Sequence, residues 1–385
     1  MLIETKRHPD SSQSQRTADE PIRVSFVIDN LSRAGTETQL LALIRELDRN
    51  RVAPSLVILD GDNPLSRSLE PSNCPILRLG LRHLLRHSTL QVAWRLQNFW
   101  REQRPDIVQL YFMDSAYFGV PVAKFSGVKK VVRVRNNLGY WLTRKHRLLN
   151  RLIQPAVDVT LTNSDGGRDA LIQNDRLSPN QVAVIENGVD LERFANFPLP
   201  CSRDSVVRVG CVANLRAVKN IAGLMRAARQ VCDRIPNVVF EVVGDGEERP
   251  ALEQLHAELR LGDCFILSGS VSDVPAFLRS VDVAVLPSHS EGMSNALLEY
   301  MAAGRAIVAT DVGANTKLIH DGQHGLVVSP KDVNALANAI ERVVTDKALS
   351  QQIGRAARAK VETDYSRGAM RIRFEQFYWS LMTRK

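Results

Sequence analysis

A chain of 385 residues is long enough for two domains of ordinary size. Hydrophobic residues make up 44% and charged residues 24%, as in soluble globular proteins, and no apolar run reaches the roughly 20 residues that span a bilayer. The net charge of +8 is concentrated: Arg78 to Arg151 carries 15 Lys/Arg against three acids, which leaves the rest of the chain near −4, so that one segment is suited to phosphates or anionic headgroups.

Met1 to Glu20 is polar, lacks the apolar segment of a secretory signal, and reads as a disordered leader. Arg23–Asn30 is an apolar strand followed by a Gly-containing loop and a helix near Glu37–Asp48. Val52–Leu59 is the next strand. Gln91–Arg101 has helical spacing, and strands follow at Asp106–Tyr111, Lys130–Val134 and Val157–Leu161. Asn196–Ser205, with two prolines and little periodicity, reads as a linker. A second alternation follows. Its strands are Val206–Ala213, Val238–Val243, Cys264–Leu267, Val281–Leu286, Ala306–Ala309 and Gly325–Val328. Its helices are Asn220–Arg234, Arg249–Leu259, Asp332–Thr345 and Leu349–Thr363. Met370–Met382 is an aromatic-rich amphipathic helix. Short buried strands alternating with helices predict two α/β domains, each a doubly wound parallel sheet. Such sheets bind ligands beyond the C-terminal ends of their strands, so two of them facing each other place the site in a cleft.

The five cysteines (Cys74, Cys201, Cys211, Cys232, Cys264) form no Cys-x-x-Cys pair, which disfavours a disulfide framework or zinc site and fits a reducing cytoplasm. Asp60-Gly61-Asp62 reads as a turn rather than a metal motif. His83 and His87 are four apart but lack the Glu of a zinc-binding helix, and no metal is expected. No Walker loop or full Gly-x-Gly-x-x-Gly follows a strand, which argues against a nicotinamide dehydrogenase, and no motif supports nucleic-acid binding.

The strongest chemical signal is Ser288–Gly304, SHSEGMSNALLEYMAAG. It follows a buried strand. Ser294 or Asn295 can cap a helix that Gly304 stops. The amides of Gly292, Met293, Ser294 and Asn295 then lie at a helix N-terminus, where anions bind. Glu291 precedes the helix, and Glu299 lies on it, on the face of Asn295. This stretch resembles the Glu-x7-Glu signature of the retaining glycosyltransferases of GT-B fold, family 4 in particular. The resemblance covers nearly the whole chain beyond Pro21. It implies that Glu291 contacts the donor sugar, making it the catalytic-site carboxylate. It likewise implies that Glu299 holds the ribose hydroxyls, and that the amides of Gly292 to Asn295 face the sugar and diphosphate.

Val209–Asn220 (VGCVANLRAVKN) resembles the family's Gly-Arg-Leu-x-x-x-Lys-Gly segment, whose Arg and Lys hold the diphosphate. Lys219 matches the Lys. Asn214 stands at the Arg position, and Arg216, two residues on, is the alternative cation. Gly35-Thr36-Glu37 resembles a family Gly-Gly-x-Glu loop with Ala34 at the first Gly, and Gly35 lets backbone approach a donor closely. Asn187-Gly188-Val189-Asp190 resembles a turn near the domain junction, and Gly269 to Val271 the base-contacting segment. Asp311-Val312-Gly313-Ala314 resembles a Gly-Gly turn with Ala314 in second place, and Lys317 stands where a Glu is frequent. Where the family often carries a His near the reacting sugar, this chain has Tyr111 and Arg135-Asn136-Asn137.

The resemblance therefore implies a GT-B enzyme moving a hexosyl unit from a UDP- or GDP-sugar to an acceptor hydroxyl with retention, in polysaccharide or glycolipid assembly, without a cofactor. Expected boundaries are 21–197 for the acceptor-side domain, 198–365 for the donor domain, and 366–385 for a helix packing back on the first domain. The basic segment fits a lipid-linked or saccharide acceptor and an anionic membrane surface, with the enzyme peripheral on the cytoplasmic face. Two alternatives share the fold: a noncatalytic sugar-nucleotide-binding protein and a disaccharide phosphorylase.

Overall fold

The computed structural model describes residues 20–383, apart from 33, 61–63, 82–87, 137–138, 140–141 and 200–205. The leader up to residue 19, the turn at Gly61 and Asp62, His83 and His87, Asn137, Cys201 and the second half of the linker lie outside the described residues.

The first unit begins β1 (Ile22–Ile28), α1 (Gly35–Glu46), β2 (Val52–Ile58), α2 (Pro64–Ser68), β3 (Ile76–Arg78) and α3 (Ser88–Gln103). It continues β4 (Ile107–Tyr111), α4 (Met113–Phe125), β5 (Lys130–Val134), α5 (Arg144–Ile153), β6 (Val159–Thr162), α6 (Asp165–Asn174) and β7 (Val182–Val184). Its sheet order is β3-β2-β1-β4-β5-β6-β7, all parallel. The second unit begins β8 (Val207–Val212), α7 (Ile221–Arg234), β9 (Val238–Val243), α8 (Arg249–Glu258), β10 (Phe265–Gly269) and α9 (Val274–Arg279). Then follow β11 (Val283–Leu286), α10 (Asn295–Ala302), β12 (Ala306–Thr310), α11 (Asn315–Leu318), β13 (Leu326–Val328), α12 (Val333–Thr345), α13 (Lys347–Asp364) and α14 (Arg367–Thr383). Its order is β10-β9-β8-β11-β12-β13, again parallel.

Both sheets have apolar clusters on each face, which is why their central strands carry near-continuous apolar runs instead of alternation. Strand order reverses between β1 and β4 and between β8 and β11, and those switch points are where open α/β sheets bind ligands. The predicted strands and helices recur with shifts of a few residues. The reading passed over α2, α4, α5, α6, α9, α11, β3 and β7.

Two crossings join the units. Val189, Phe194 and Phe197 pack into a cluster with α10 residues of the second unit. At the other end, α14 returns to the first: Met370, Phe374, Tyr378 and Leu381 form one stripe in the cluster of β1 and α1. Buried Glu375 fixes its register, accepting from the Asp48 amide at 3.1 Å and from Arg371 at 3.0 Å.

Candidate active site

The central loops of the second sheet are built to meet. After β8 the chain makes a tight turn at Ala217–Lys219 and reaches Asn220 at φ 53°, a left-handed conformation that Asn tolerates better than most residues. The Asn220 side chain caps α7, accepting from the Gly223 amide at 3.1 Å, and donates to the Pro287 carbonyl at 3.0 Å. His289 adds a backbone bond to the Val218 carbonyl at 2.8 Å. These bonds hold the β8–α7 loop against the β11–α10 loop.

Glu291 is buried at that junction. Its Oε1 accepts from Lys219 Nζ at 2.6 Å and from Ser288 Oγ at 2.7 Å. The expected carboxylate and the expected cation are thus brought together. Behind them lies Gly313 at φ 56°, where any Cβ would collide with the Glu291 carbonyl oxygen. The Ala314 amide donates to the Gly292 carbonyl at 2.9 Å. Ser294 is the N-cap of α10, accepting from the Leu297 amide at 3.4 Å. The loop Gly292-Met293-Ser294-Asn295 therefore leads into a helix whose positive end faces the cleft.

Glu299 lies further along α10, half-buried, and no hydrogen-bond donor reaches its carboxylate among the described residues. Burial pushes its pKa up to about 7, against the opposing pull of Arg193 and Arg367. Arg216 is exposed beside the Lys219 turn, and among the described residues no hydrogen bond or ion pair of its side chain reaches Glu291 or α10. The Gly-Asp-Gly at 244–246 has a packing reason: Cβ atoms on Gly244 and Gly246 would collide with the Ala213 and Leu215 carbonyls.

The first unit closes against this site. Asn295 Oδ1 accepts from Asn187 Nδ2 at 2.7 Å and from Gln39 Nε2 at 3.1 Å, and its Nδ2 donates to the Gly35 carbonyl at 3.2 Å. A Cβ on Gly35 would come within 2.9 Å of Asn295 Nδ2, so the glycine makes room for that side chain. Gln39 also bonds Gly188 through both backbone groups, at 2.9 and 3.2 Å. Met293 Sδ accepts from the Asn187 amide at 3.2 Å. Lys317 bridges the units as well, reaching Asp165 at 2.9 Å and Glu186 at 2.8 Å. Sequence reasoning missed Gln39, Ser288, Arg193, Arg367 and the bridging role of Lys317. The Asn187–Asp190 turn, Gly35 and Asn295 had sequence signals.

At the first switch point is a cavity of about 420 Å³ lined by Asp29, Tyr117, Arg133, Arg135, Asn136 and His146, among others. Burial pushes Asp29 up to about 6, while bonds from the Ser115 hydroxyl and amide oppose the shift. Phe112, also on its wall, has φ 66° and ψ −174°, a region that non-glycine residues rarely adopt and that concentrates at functional sites. Tyr111 contributes only its ring, since its buried hydroxyl accepts from Gln109 at 2.7 Å.

A helix N-terminus flanked by carboxylates and a lysine, faced by a second doubly wound domain, is the arrangement of GT-B glycosyltransferases. Residues 206–346 match the family Glycosyl transferases group 1, and residues 33–193 match Glycosyltransferase Family 4. The chain belongs to this family of retaining enzymes, which transfer a sugar from a nucleotide-sugar donor.

Among its relatives is the UDP-Gal:alpha-D-GlcNAc-diphosphoundecaprenol alpha-1,3-galactosyltransferase of Escherichia coli, 28% identical over 66% of this chain and 70% of that protein. A glycogen synthase of Mycobacterium tuberculosis is 26% identical over 72% of this chain and 70% of its own length. The crystal structure of HepE from Anabaena in complex with UDP has the same fold, with a TM-score of 0.79, 19% identity, and coverage of 93% of this chain and all of that one.

Proposed function

We propose that the enzyme uses a UDP-hexose and transfers its sugar to a hydroxyl of a lipid-linked or saccharide acceptor, working at an anionic membrane surface. The observation that carries this reading is the Lys219–Glu291 pair, held at the switch point beside the N-terminus of α10. Uridine is the preferred base because the galactosyltransferase relative is named for UDP-Gal and the HepE structure holds UDP. A lipid-linked acceptor follows the diphosphoundecaprenol in the first relative's name, and a saccharide acceptor follows the glycogen synthase.

In this reading the amides of Gly292 to Asn295 and the ammonium of Lys219, with Arg216 as a second cation, meet the diphosphate as it leaves. Charge that develops on the leaving group is then met by donors already in place, which is the most effective form of transition-state stabilisation. Glu291, oriented by Ser288, accepts from the sugar hydroxyls, and Glu299 accepts from the ribose diol. Retention requires no covalent nucleophile when the acceptor attacks from the face the diphosphate leaves. The acceptor hydroxyl would come from the cavity of Asp29 and Arg135 across the cleft.

The membrane part has its own support. Among the described residues, α3 exposes Leu90 and Trp94 one turn apart, α4 ends at Phe125 (86% exposed), and α5 exposes Leu148 and Leu152 among Arg144, Lys145, Arg147 and Arg151. Helix α4 packs between α3 and α5, so these side chains belong to one helical layer. No helix among the described residues is long and apolar enough to cross a membrane.

The test is a thermal-shift panel of UDP-, GDP- and ADP-sugars and their free diphosphates on the wild type, Lys219→Ala and Glu299→Ala. A shift with uridine ligands alone, lost in both folded variants, is expected. A folded wild type that responds to none of them sinks the reading.

A further inference from the structure

A second pocket, of about 330 Å³, lies on the first unit between β5, α5, the turn that follows α5, and the C-terminal end of α6. Its walls include Arg133, Arg147, Arg151 and Arg176, against a single carboxylate, Asp175. That carboxylate is already engaged by Arg135. The pocket is therefore cationic well beyond what its own acid neutralises.

Its floor is built of donors that lack acceptors. Arg133 is 4% exposed on β5, and its Nη2 donates to Asn150 Oδ1 at 2.8 Å. The same oxygen accepts from the Tyr117 hydroxyl at 3.1 Å. Asn150, itself 6% exposed, thus spends its acceptor twice, while its Nδ2 finds no partner among the described residues. Arg133 Nε and Gln154 Nε2 are likewise buried without an acceptor among the described residues. Native proteins pair nearly all buried polar atoms, so a convergence of unpaired donors marks a place for an acceptor that the chain does not itself provide. Burial also pulls the Arg133 pKa down, the response of a cation kept from both water and an anion.

An acceptor that suits several N–H donors and a surplus of guanidinium charge is a tetrahedral oxyanion. Arginine forks match phosphoryl oxygens in geometry as well as charge. We propose that this pocket binds a phosphoryl group, as a phosphate mono- or diester, at a site separate from the donor diphosphate. The volume accommodates the phosphoryl group and the first part of whatever carries it. Arg133 lines both this pocket and the cleft-facing cavity, so the two share a wall, and an anion here neutralises a residue of the acceptor side. The outer wall is α5, whose exposed Leu148 and Leu152 alternate with basic residues. The phosphoryl group is therefore either a lipid headgroup, drawn in while α5 lies on a membrane, or a water-soluble phosphate ester.

The experiment compares the wild type with Asn150→Asp, with the double variant Arg147→Gln/Arg151→Gln, and with Lys219→Ala. Asn150→Asp is isosteric and supplies the missing negative charge. The double variant removes two exposed guanidiniums and keeps the fold testable if the buried substitution does not fold. Glycerol 3-phosphate is titrated by calorimetry. Partition is measured to phosphatidylcholine vesicles with and without phosphatidic acid, at low and physiological salt.

Binding of either probe by the wild type, weakened at least tenfold in each folded pocket variant and unchanged in Lys219→Ala, is expected. Binding of glycerol 3-phosphate identifies a soluble ester as sufficient, and binding of the phosphatidic acid vesicles alone identifies a lipid headgroup. No binding of either probe overturns the proposal. So does binding that the pocket variants retain, or binding that only Lys219→Ala loses, which would assign it to the donor site.

Discussion

Glu299 offers the sharpest quantitative test, because its burial sets both a pH dependence and a stability cost. Its carboxyl stands at about 7 instead of the ordinary 4.5, chiefly through burial and against the pull of Arg193 and Arg367. If the ribose diol is bound by the ionised form, donor affinity follows the ionised fraction, which is about one tenth at pH 6 and about nine tenths at pH 8. Calorimetric affinity for a UDP-sugar should therefore rise roughly ninefold over that range, and Glu299→Gln should flatten it at a weaker value. A UDP-sugar is the right probe because its diphosphate does not itself titrate there.

The sign for stability is opposite. A carboxyl whose folded pKa lies above its unfolded one stabilises the fold in its protonated form. That contribution is complete below 4.5 and disappears as pH rises through about 7. At about 1.4 kcal/mol for each pH unit, the upper bound is about 3 kcal/mol. Glu299→Gln, which never ionises, should then melt above the wild type at pH 8 and near it at pH 4.5 while binding donor poorly. A flat wild-type affinity profile, together with a glutamine variant no more stable at pH 8, would refute this account of Glu299.

Lys219→Ala removes the proposed charge-assisted partner of the diphosphate. Donor affinity should fall roughly 10- to 100-fold by calorimetry, as loss of such a bond implies, and a change below threefold would place the diphosphate elsewhere. Gly313→Ala puts a Cβ on the Glu291 carbonyl at a positive φ. It should cost about 1–3 kcal/mol in chemical denaturation and weaken donor binding, and an unperturbed variant would mean the loop yields freely. Lys317→Glu gathers three acids where Lys317 now bridges Asp165 and Glu186. The radius of gyration from solution scattering should increase, with the difference shrinking at high salt as repulsion is screened. An unchanged radius would show that the contact does not hold the cleft.

How much of this was legible in the sequence depended on the range of the interactions. The strands and Gly-rich turns of the second unit could be read because local constraints coincide there: a buried apolar run, a capping Ser294, a stop at Gly304. Helix α4 was hidden, since Gly119 and Pro121 interrupt its pattern and Phe112 precedes it in a glycine-like conformation. Helix α5 carries five Arg, Lys or His residues in ten, and its Leu148 and Leu152 face solvent, so its periodicity did not point to a core. Strands β3 and β7, three half-buried residues each, are too short to show a period. At the site, Lys219 and Glu291 could be found singly from their motifs. Their direct pairing arises from the meeting of two loops of one sheet, and the bonds of Gln39 and Asn187 to Asn295, across 256 and 108 residues, arise only from the closing of the cleft.

That closing uses the helix proposed to form the donor site. Asn295 opens α10, while its side chain bonds Gly35, Gln39 and Asn187 of the other unit. A displacement of the α10 N-terminus must therefore be felt in the first unit, and closure of that unit must bear on the loop proposed to cradle the donor. The two sets of contacts across the cleft differ in kind. The Asn295 tie is made of neutral, partly enclosed hydrogen bonds, each worth about 0.5–1.5 kcal/mol and barely sensitive to salt. Lys317, half exposed, forms an ion pair that contributes at most roughly 1 kcal/mol and weakens as salt screens it. Raising ionic strength should thus loosen the cleft at Lys317 first and leave the Asn295 tie in place, so that closure is tuned at its edge without dismantling the proposed donor cradle.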